Sequence, residues 1–336
     1  MRPEAERRHQ NAGQDAREGD LLARIAHELY WIGRQLARAE HTARMLDGVF
    51  HADVQARPDD PAGVLLSWDH LLTIVSGEPP EHPASRDEVL RALTLDPEHP
   101  TSVLNCVTRA REGARTVRDV FSAEMWEAIN TFHLGLLRQD MSAALRTGPY
   151  SVYAYVRDRC GLFWGVTSRT MLRDEAHAFL QAGAAIESTD MVLRMLRVAL
   201  PSEGEEHARD GQALALLQAV GGFQAYRRAV PAPPNAGPVA RFLLYERDYP
   251  DSVAFSVEAL HAALTAADPS YRGSPAVLRV GRLTADLDFR ARTGDADRAL
   301  TETLGTVQRE LAQVDADISQ RYFGGPATPV ARLATA

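Results

Sequence analysis

One predicted helix near the amino terminus carries the densest group of residues that could do chemistry. Arg34, Arg38, Glu40 and Arg44 follow one another at helical spacing. Glu40 precedes Arg44 by four residues, the favourable order for an ion pair on a helix. Glu40 also borders the apolar stripe, where a carboxylate needs partners to stay charged. We therefore expect either ion pairs that hold helices in register or a site for an anion or an amine.

A second group of charges lies near the middle of the chain. Asp190 and Arg194 are again four residues apart, and Glu187 lies on the same side of the helix as Arg194. If the protein is an enzyme, Glu40, Glu175 and Glu187 are the candidates for a general base. The neighbouring arginines are then the candidates for binding a carboxylate or an acyl phosphate.

Two further polar groups are candidates for anion binding. One is a charged cluster on the helix predicted after Pro100. The other is the segment before the second long helix, because a helix amino terminus with hydroxyl and guanidinium donors can bind phosphate or carboxylate. The alternative for that segment is helix capping with a salt bridge. The residues of these two groups are Arg111, Glu112, Arg115, Thr167, Thr170 and Arg173.

The composition excludes several classes of chemistry. The sequence contains no lysine, so all 37 residues in the Lys and Arg count are arginines. P-loop enzymes, pyridoxal phosphate enzymes and ATP-grasp enzymes ordinarily use a lysine, and we therefore expect that this chain does not activate ATP itself. The net charge of −8 argues against nucleic-acid binding, which needs a dense basic surface. We expect no cofactor.

Metal binding, membrane insertion and export are also not expected. The eleven histidines and two cysteines show no metal-ligand spacing, and the cysteines do not suggest a disulfide framework. No apolar run approaches the roughly 18 to 20 residues that a membrane span needs. The first residues are charged and do not resemble an export signal. These features predict a cytoplasmic protein.

Apolar residues at three- and four-residue spacing predict a long amphipathic helix from Leu22 to Phe50, with a break near Gly48. Shorter helices are predicted at about 64–76, after a capping box at Ser85, and from Pro100 to about Val120. Alternation typical of strands is missing. The fold class predicted is all-α, a helical bundle, with disordered tails at residues 1–19 and 324–336 around a folded domain at 20–323.

Two stretches match at a constant offset of 150 residues, which predicts two diverged copies of one multi-helix unit. Copy one spans about 20–147 and copy two about 165–323. Similar helix composition is the alternative, but it explains the glycine and proline pairs poorly. A glycine inside a helix costs about 1 kcal/mol relative to alanine, so two such glycines indicate a close helix crossing about a pseudo-two-fold axis. Identical pairs include His27/His177, Gly33/Gly183, Arg44/Arg194, Pro100/Pro250 and Ser102/Ser252.

The segment AHELYWIGRQLARAEHTARMLD from Ala26 resembles the alpha-E family, a bacterial helical domain of unknown function with a Glu-Arg motif. AREGAR, SAEMWEAIN and GVTSRTMLRDE are further likenesses. Ala37 replaces the motif glutamate in copy one, whereas copy two has Ala184 and Ser188 in place of arginines. If a site lies at the helix crossing, we expect copy one to supply its cations and copy two mainly its carboxylates.

The resemblance implies a functional context, because such domains are typically encoded beside, or fused to, a circularly permuted ATP-grasp ligase. A transglutaminase-like peptidase often accompanies them. Our leading hypothesis is a non-ATPase accessory subunit of an amide or peptide ligase that binds its partner and an acidic or peptidic substrate through Arg/Glu clusters. The alternatives are an enzyme using Glu/Arg acid-base chemistry and a purely structural assembly protein.

Overall fold

The computed structural model describes residues 4–55, 66–200, 206–268, 273–293 and 300–324, and these ranges are helical without a strand. The prediction of an all-α protein is confirmed. Of the tail predicted at residues 324–336, residues 325–336 lie outside the described ranges. The helices are α1 Glu4–Gln55, α2 Trp68–Ser76, α3 Arg86–Thr94, α4 Val103–Thr116, α5 Ala123–Leu136, α6 Met141–Thr147, α7 Tyr150–Thr170, α8 Glu175–Ala199, α9 Glu206–Ala219, α10 Phe223–Ala229, α11 Ala236–Tyr245, α12 Val253–Ala267, α13 Pro275–Thr293 and α14 Leu300–Tyr322.

Helix α1 is longer than the sequence predicted. Its backbone is helical from Glu4, where we expected an unstructured tail, because Ala, Glu, Gln and Arg dominate this segment and favour helix. The predicted break at Gly48 was wrong. A Cβ added to Gly48 would lie 2.7 Å from the Cα of Ala219, so this glycine lets α9 approach α1 and the helix continues to Gln55.

Side-chain caps fix the starts of the shorter helices. The predicted capping box at Ser85 is confirmed, with Glu88 accepting from the backbone N–H of Ser85 at 2.8 Å. Ser102 caps α4 by accepting from the N–H of Asn105 at 3.1 Å. Helix α4 ends at Thr116, and a short 3₁₀ turn carries the chain to Val120.

The two long helices, α1 and α8, pack along each other at the centre of the core. Helices α4 and α7 cover α1, and α5 lies across both of them. Helices α12 and α14 cover α8, and α13 lies across both of those. One continuous apolar cluster joins the two sets of helices. No helix in the described ranges combines the length and the apolar character that crossing a lipid bilayer would require.

Candidate functional site

Helices α1 and α8 cross at Gly33 and Gly183, as the sequence predicted. A Cβ added to Gly33 would lie 2.1 Å from the carbonyl oxygen of Leu180. A Cβ added to Gly183 would lie 1.9 Å from the carbonyl oxygen of Tyr30. Both distances are far shorter than a Cβ tolerates, so the backbones touch and any side chain at either position would push the helices apart.

Beside this crossing, one carboxylate binds two guanidinium groups. Arg34 Nε donates to Glu187 Oε2 at 2.9 Å, and Arg38 Nε donates to Glu187 Oε1 at 2.5 Å. The side chains of Glu187 and Arg34 are 0% and 3% exposed. Such a carboxylate can stay charged in the interior because both of its oxygens are paired with cations.

Asp315 on α14 extends the network to the last helix. Its Oδ1 accepts from Arg34 Nη1 at 2.9 Å and from the Tyr30 hydroxyl at 2.5 Å. The Arg34 guanidinium also lies 4.8 Å from the centre of the Trp31 ring. The cations come from α1 and the carboxylates from α8 and α14, the division that the sequence predicted for a site at the crossing.

The charge state of Glu187 follows from this geometry. Burial alone would raise its pKa, but Arg38 and Arg34 lower it more, and the pKa falls to about 2. Burial, with Asp315 nearby, raises the pKa of Tyr30 well above its usual value, so Tyr30 is a neutral donor. A carboxylate with so low a pKa is a poor general base near neutral pH. The geometry of the network therefore fits a role in holding helices together better than a role in proton transfer.

Asp190 and Arg194 form a separate buried pair further along α8. Arg194 Nη2 lies 2.6 Å from Asp190 Oδ2, with both side chains 4% exposed. Arg194 Nη1 donates to the carbonyl oxygen of Ile74 at 3.3 Å, near the carboxyl end of α2. A cation at this position donates to a carbonyl at the helix end and interacts favourably with the negative end of the helix dipole. This pair fastens α2 to α8.

Arg44, which pairs with Glu40, lines a cleft, in contrast to the buried pairs. Arg44 Nη2 binds Glu40 Oε1 at 2.6 Å, and the two side chains are 34% and 21% exposed. The cleft has a volume of about 350 Å³ and lies between α1, α7 and α9. Arg44 is the member of the predicted candidate set that lines it. The lining residues are Arg44, Asp47, Gly48, His51, Arg157, Gln218, Ala219 and Gly221.

The predicted cluster on α4 lies at the surface. Arg111 Nε donates to the Asn130 side-chain oxygen at 2.8 Å, and Arg111 Nη1 binds Glu112 at 2.6 Å. Glu112 also binds Arg115 at 3.0 Å, and the Arg115 side chain is largely exposed. Glu112 therefore lies between two arginines on the outside of the helix, where such pairs contribute little to stability.

The segment before α8 does not bring its donors together. The Thr167 and Thr170 hydroxyls donate to carbonyl oxygens of their own helix at 2.8 and 3.0 Å. Arg173 contacts His177 at 2.7 Å. Asp174 caps α8 by accepting from the N–H of His177, and its carboxylate occupies the place that an anion would take. The capping alternative describes this segment.

Glu175, the remaining candidate base, opens the first turn of α8. It is exposed, and it lies on the surface apart from the buried network. An acidic residue in a first helical turn stabilises the helix through its dipole. Its position therefore matches that role.

A family model named Alpha-E, described as a predicted alpha-helical domain with a conserved ER motif, matches residues 21–323. The chain belongs to the Alpha-E family. Matching curated relatives include an uncharacterized protein of Mycobacterium bovis, which is 23% identical over an alignment of 313 residues that covers 88% of this chain and 35% of the relative. A second, from Mycobacterium tuberculosis strain H37Rv, is 22% identical over the same length.

This Alpha-E chain spans about a third of the length of those relatives. No solved structure gives a significant match to it.

Arg38 and Glu187 meet between the two long helices of this Alpha-E chain. Arg38 follows Ala37 on α1, and Glu187 precedes Ser188 on α8. The two charged side chains bind each other at 2.5 Å. The Ser188 hydroxyl bonds to His41 Nε2 at 3.1 Å. A second polar contact thus joins α1 and α8 close to this ion pair.

Sequence reasoning missed several polar residues that matter in this Alpha-E structure. Asp315 had a signal, because it interrupts the apolar stripe of α14 between Val314 and Ile318, and a carboxylate there needs a buried partner. Asp47 and Arg157 bind each other but are 110 residues apart. No local pattern links positions so far apart, so no sequence signal indicated this pair.

Metal ligands are not gathered anywhere in the described ranges of this Alpha-E chain, where no group of three His, Cys, Asp or Glu side chains could hold an ion. Cys106 and Cys160 are free and buried. Burial raises the pKa of the Cys106 thiol to about 11, although Arg38 opposes the shift. A thiol with this pKa is a poor nucleophile near neutral pH.

Proposed function

We propose that this Alpha-E protein is a non-catalytic helical partner of an ATP-grasp-type amide or peptide ligase. The observation that carries the proposal is that charged side chains of the motif region are bound to one another inside the protein. Arg34, Arg38 and Glu187 bind one another inside the helix crossing, where Glu187 is fully buried. Charges used in this way make a stiff body with a defined surface, which suits a subunit that positions another protein.

The curated relatives support a partnership. The chain corresponds to about a third of each relative, so the same helical unit occurs inside longer chains. Units joined in one chain in some proteins commonly work side by side when they are separate. The absence of lysine fits a division of labour in which the partner handles ATP. A transglutaminase-like peptidase is a further candidate partner, and ATP-dependent ligation would take place in the cytoplasm.

The enzyme hypothesis finds less support among the candidate bases. The pKa of Glu187 is lowered to about 2, so it stays ionised and paired. Glu175 is exposed, and Glu40 is bound to Arg44. A carboxylate enclosed in an apolar pocket without a cationic partner, the usual setting of an acid or base catalyst, is not found among them. The structural hypothesis describes the buried network well and is contained in the proposal.

Co-expression with an ATP-grasp protein of the same genome, beginning with any that is encoded next to its gene, tests the proposal. We expect one peak in size-exclusion chromatography with light scattering at the mass of a complex. We also expect at least a tenfold slower ATP-dependent ligation when this chain is left out. Separate peaks together with an unchanged ligation rate would refute it. An active ligation by this chain alone, without the ATP-grasp protein, would favour the enzyme hypothesis.

We further propose that the fold arose by duplication of one helical unit, related by a pseudo-two-fold axis. Equivalent serines support this. Ser102 Oγ donates to the carbonyl of Asp96 at 2.8 Å, and Ser252 Oγ donates to the carbonyl of Glu246 at 2.5 Å. Each serine also caps the following helix. The reciprocal contacts of Gly33 and Gly183 fit the same relation.

Matched substitutions test the equivalence of the two serines. Ser102→Ala and Ser252→Ala should each lower the free energy of unfolding by about 1 to 2 kcal/mol, because each removes one helix cap and one buried hydrogen bond. Urea denaturation of the two variants measures both values. A loss at one serine with no loss at the other would argue against equivalent roles.

A further inference from the structure

The cleft between α1, α7 and α9 is a second charged region, distinct from the buried network. Its α1 wall carries Arg44, Asp47, Gly48 and His51, whose spacing places them on one side of the helix. Arg157 reaches it from α7 and binds Asp47 Oδ2. The close approach of α9 at Gly48 forms the floor. Three helices therefore hold the cleft in a fixed shape.

Hydrogen-bond donors are available in this cleft. Arg44 uses Nε and Nη2 on Glu40, and its Nη1 has no bond to another described residue. Arg157 uses Nη1 on Asp47, which leaves its Nε and Nη2 without a bond among the described residues. His51 Nδ1 lies 2.8 Å from the carbonyl oxygen of Asp47, so the free ring nitrogen is Nε2.

Acceptors, in contrast, are largely occupied or covered. Asp47 Oδ2 is bound to Arg157, whereas Asp47 Oδ1 is buried without a hydrogen-bond partner among the described residues and lies 3.4 Å from His51 Nδ1. Glu40 Oε1 is bound to Arg44 through two nitrogens. The polar groups that the cleft offers to a ligand are thus mainly donors on guanidinium groups. Guanidinium donors in a fork match the two oxygens of an oxyanion.

Charge favours a carboxylate over a phosphate. Glu40 already balances Arg44, and Asp47 already balances Arg157, so the cleft has little excess positive charge. The carboxyl end of α9, with the negative end of its dipole, also lies at the cleft near Ala219. The negative end of the helix dipole repels a doubly charged phosphate more strongly than a singly charged carboxylate.

The size of the cleft indicates what the carboxylate is attached to. A volume of about 350 Å³ lies within the range of small-ligand sites and exceeds what a bare carboxylate fills. The cleft also opens to solvent along the exposed sides of Arg157 and His51, whose side chains are 26% and 48% exposed. A short chain can leave through that opening.

We propose that this cleft binds the free carboxyl terminus of a short peptide, with Arg157 and Arg44 as the donors. The proposal concerns a site on this chain alone. It does not depend on the partnership with a ligase, and either one can fail without the other.

Titration of the full-length protein with N-acetyl-tri-alanine and with the same peptide as its carboxyl-terminal amide tests the proposal. Isothermal calorimetry at low salt gives both affinities. We expect the acid to bind with a dissociation constant of about 1 mM, which corresponds to about −4 kcal/mol, and the amide at least about tenfold more weakly. Equal affinity for acid and amide would overturn the proposal, and this comparison needs no variant.

Two variants and one control assign the donors. Arg157→Gln and Arg44→Gln should each weaken binding of the acid about tenfold. Arg282→Gln is the matched control, because Arg282 is an exposed arginine on α13 that pairs with Glu310 of α14, outside the cleft. This variant should bind the acid as tightly as the unchanged protein does. Unchanged affinity in both cleft variants would overturn the assignment. Inorganic phosphate binding more tightly than the peptide would overturn the preference for a carboxylate.

Discussion

Helix α1 carries arginines in two regions that behave differently. Around Gly33, Arg34 and Arg38 are covered by α8 and α14 and bind buried carboxylates. Two to three turns later, Arg44 pairs with Glu40 at the edge of an open cleft. The residue types and their spacing are nearly the same. What differs is the helix that lies opposite, and this decides whether an arginine stabilises packing or remains available to a ligand.

The two regions also differ in the energy at stake. Breaking a buried ion pair strands a charge without water, which costs about 3 to 5 kcal/mol. An exposed pair is screened by solvent and contributes about 0 to 1 kcal/mol. The buried region should therefore respond strongly to single substitutions, and the cleft region should tolerate them.

The largest effect is expected at the crossing itself. Gly183→Ala places a Cβ against the carbonyl oxygen of Tyr30, so α1 and α8 must separate along their contact. We expect the free energy of unfolding to fall by more than about 4 kcal/mol in urea denaturation. Gly161→Ala is the control, because an added Cβ on α7 meets nothing within 4 Å, and it should gain up to about 1 kcal/mol. A mild effect at Gly183 would mean that the helices can slide apart.

The next effect is expected from Glu187→Gln, which leaves Arg34 and Arg38 without their shared carboxylate. We expect a loss of about 3 to 5 kcal/mol in the free energy of unfolding. Thermal and urea unfolding, followed by circular dichroism, measure the loss. A loss below about 1 kcal/mol would place this network in the same class as the exposed pairs and remove the contrast between the two regions.

Acid titration sharpens the contrast further. Because the pKa of Glu187 is about 2 in the folded protein and near 4.5 when unperturbed, the folded state binds this proton more weakly than the unfolded state. Its contribution of roughly 3 kcal/mol is therefore complete above about pH 5 and is lost as the pH falls from about 4.5 towards 2.

Urea midpoints measured across that pH range test this expectation. The unchanged protein should lose more stability on acidification than Glu187→Gln, which lacks the titrating group. Parallel pH profiles for the two proteins would contradict it.

The smallest effect is expected from Glu40→Gln in the cleft region. The partner, Arg44, is about one third exposed and can turn to solvent. We expect a loss of less than about 1 kcal/mol in the free energy of unfolding. A loss comparable to that of Glu187→Gln, measured in the same urea experiment, would show that the cleft pair also supports the fold.

Local patterns explain what the sequence could predict. The capping box at Ser85 depends on neighbours three residues apart, and the helical class depends on repeated apolar spacing. The crossing at Gly33 and Gly183 was predictable because two unfavourable glycines recur at one offset. The same offset indicated that α1 would contribute cations and α8 carboxylates.

Contacts between distant elements explain what could not be predicted. Tyr30 and Asp315 are 285 residues apart, and Arg157 meets Asp47 only because α7 packs against α1. Gly48 interrupts the helical pattern in the sequence, and only the approach of Ala219 shows why the helix continues through it. The type of a residue does not show whether its side chain is buried. Arg34 and Arg44 were therefore equally plausible as ligand-binding residues from the sequence.

The contacts of Tyr30 and Arg34 with Asp315 can form only after the ribosome has synthesised α14. With 285 residues between Tyr30 and Asp315, translation at about 5 to 20 residues per second separates their synthesis by roughly 15 to 60 s. Throughout that interval, the nascent chain carries an arginine and a tyrosine whose final acceptor has not been made. A chain released before α14 is complete leaves both donors one partner short in the interior, and quality-control proteases can distinguish it from a finished molecule by its lower stability.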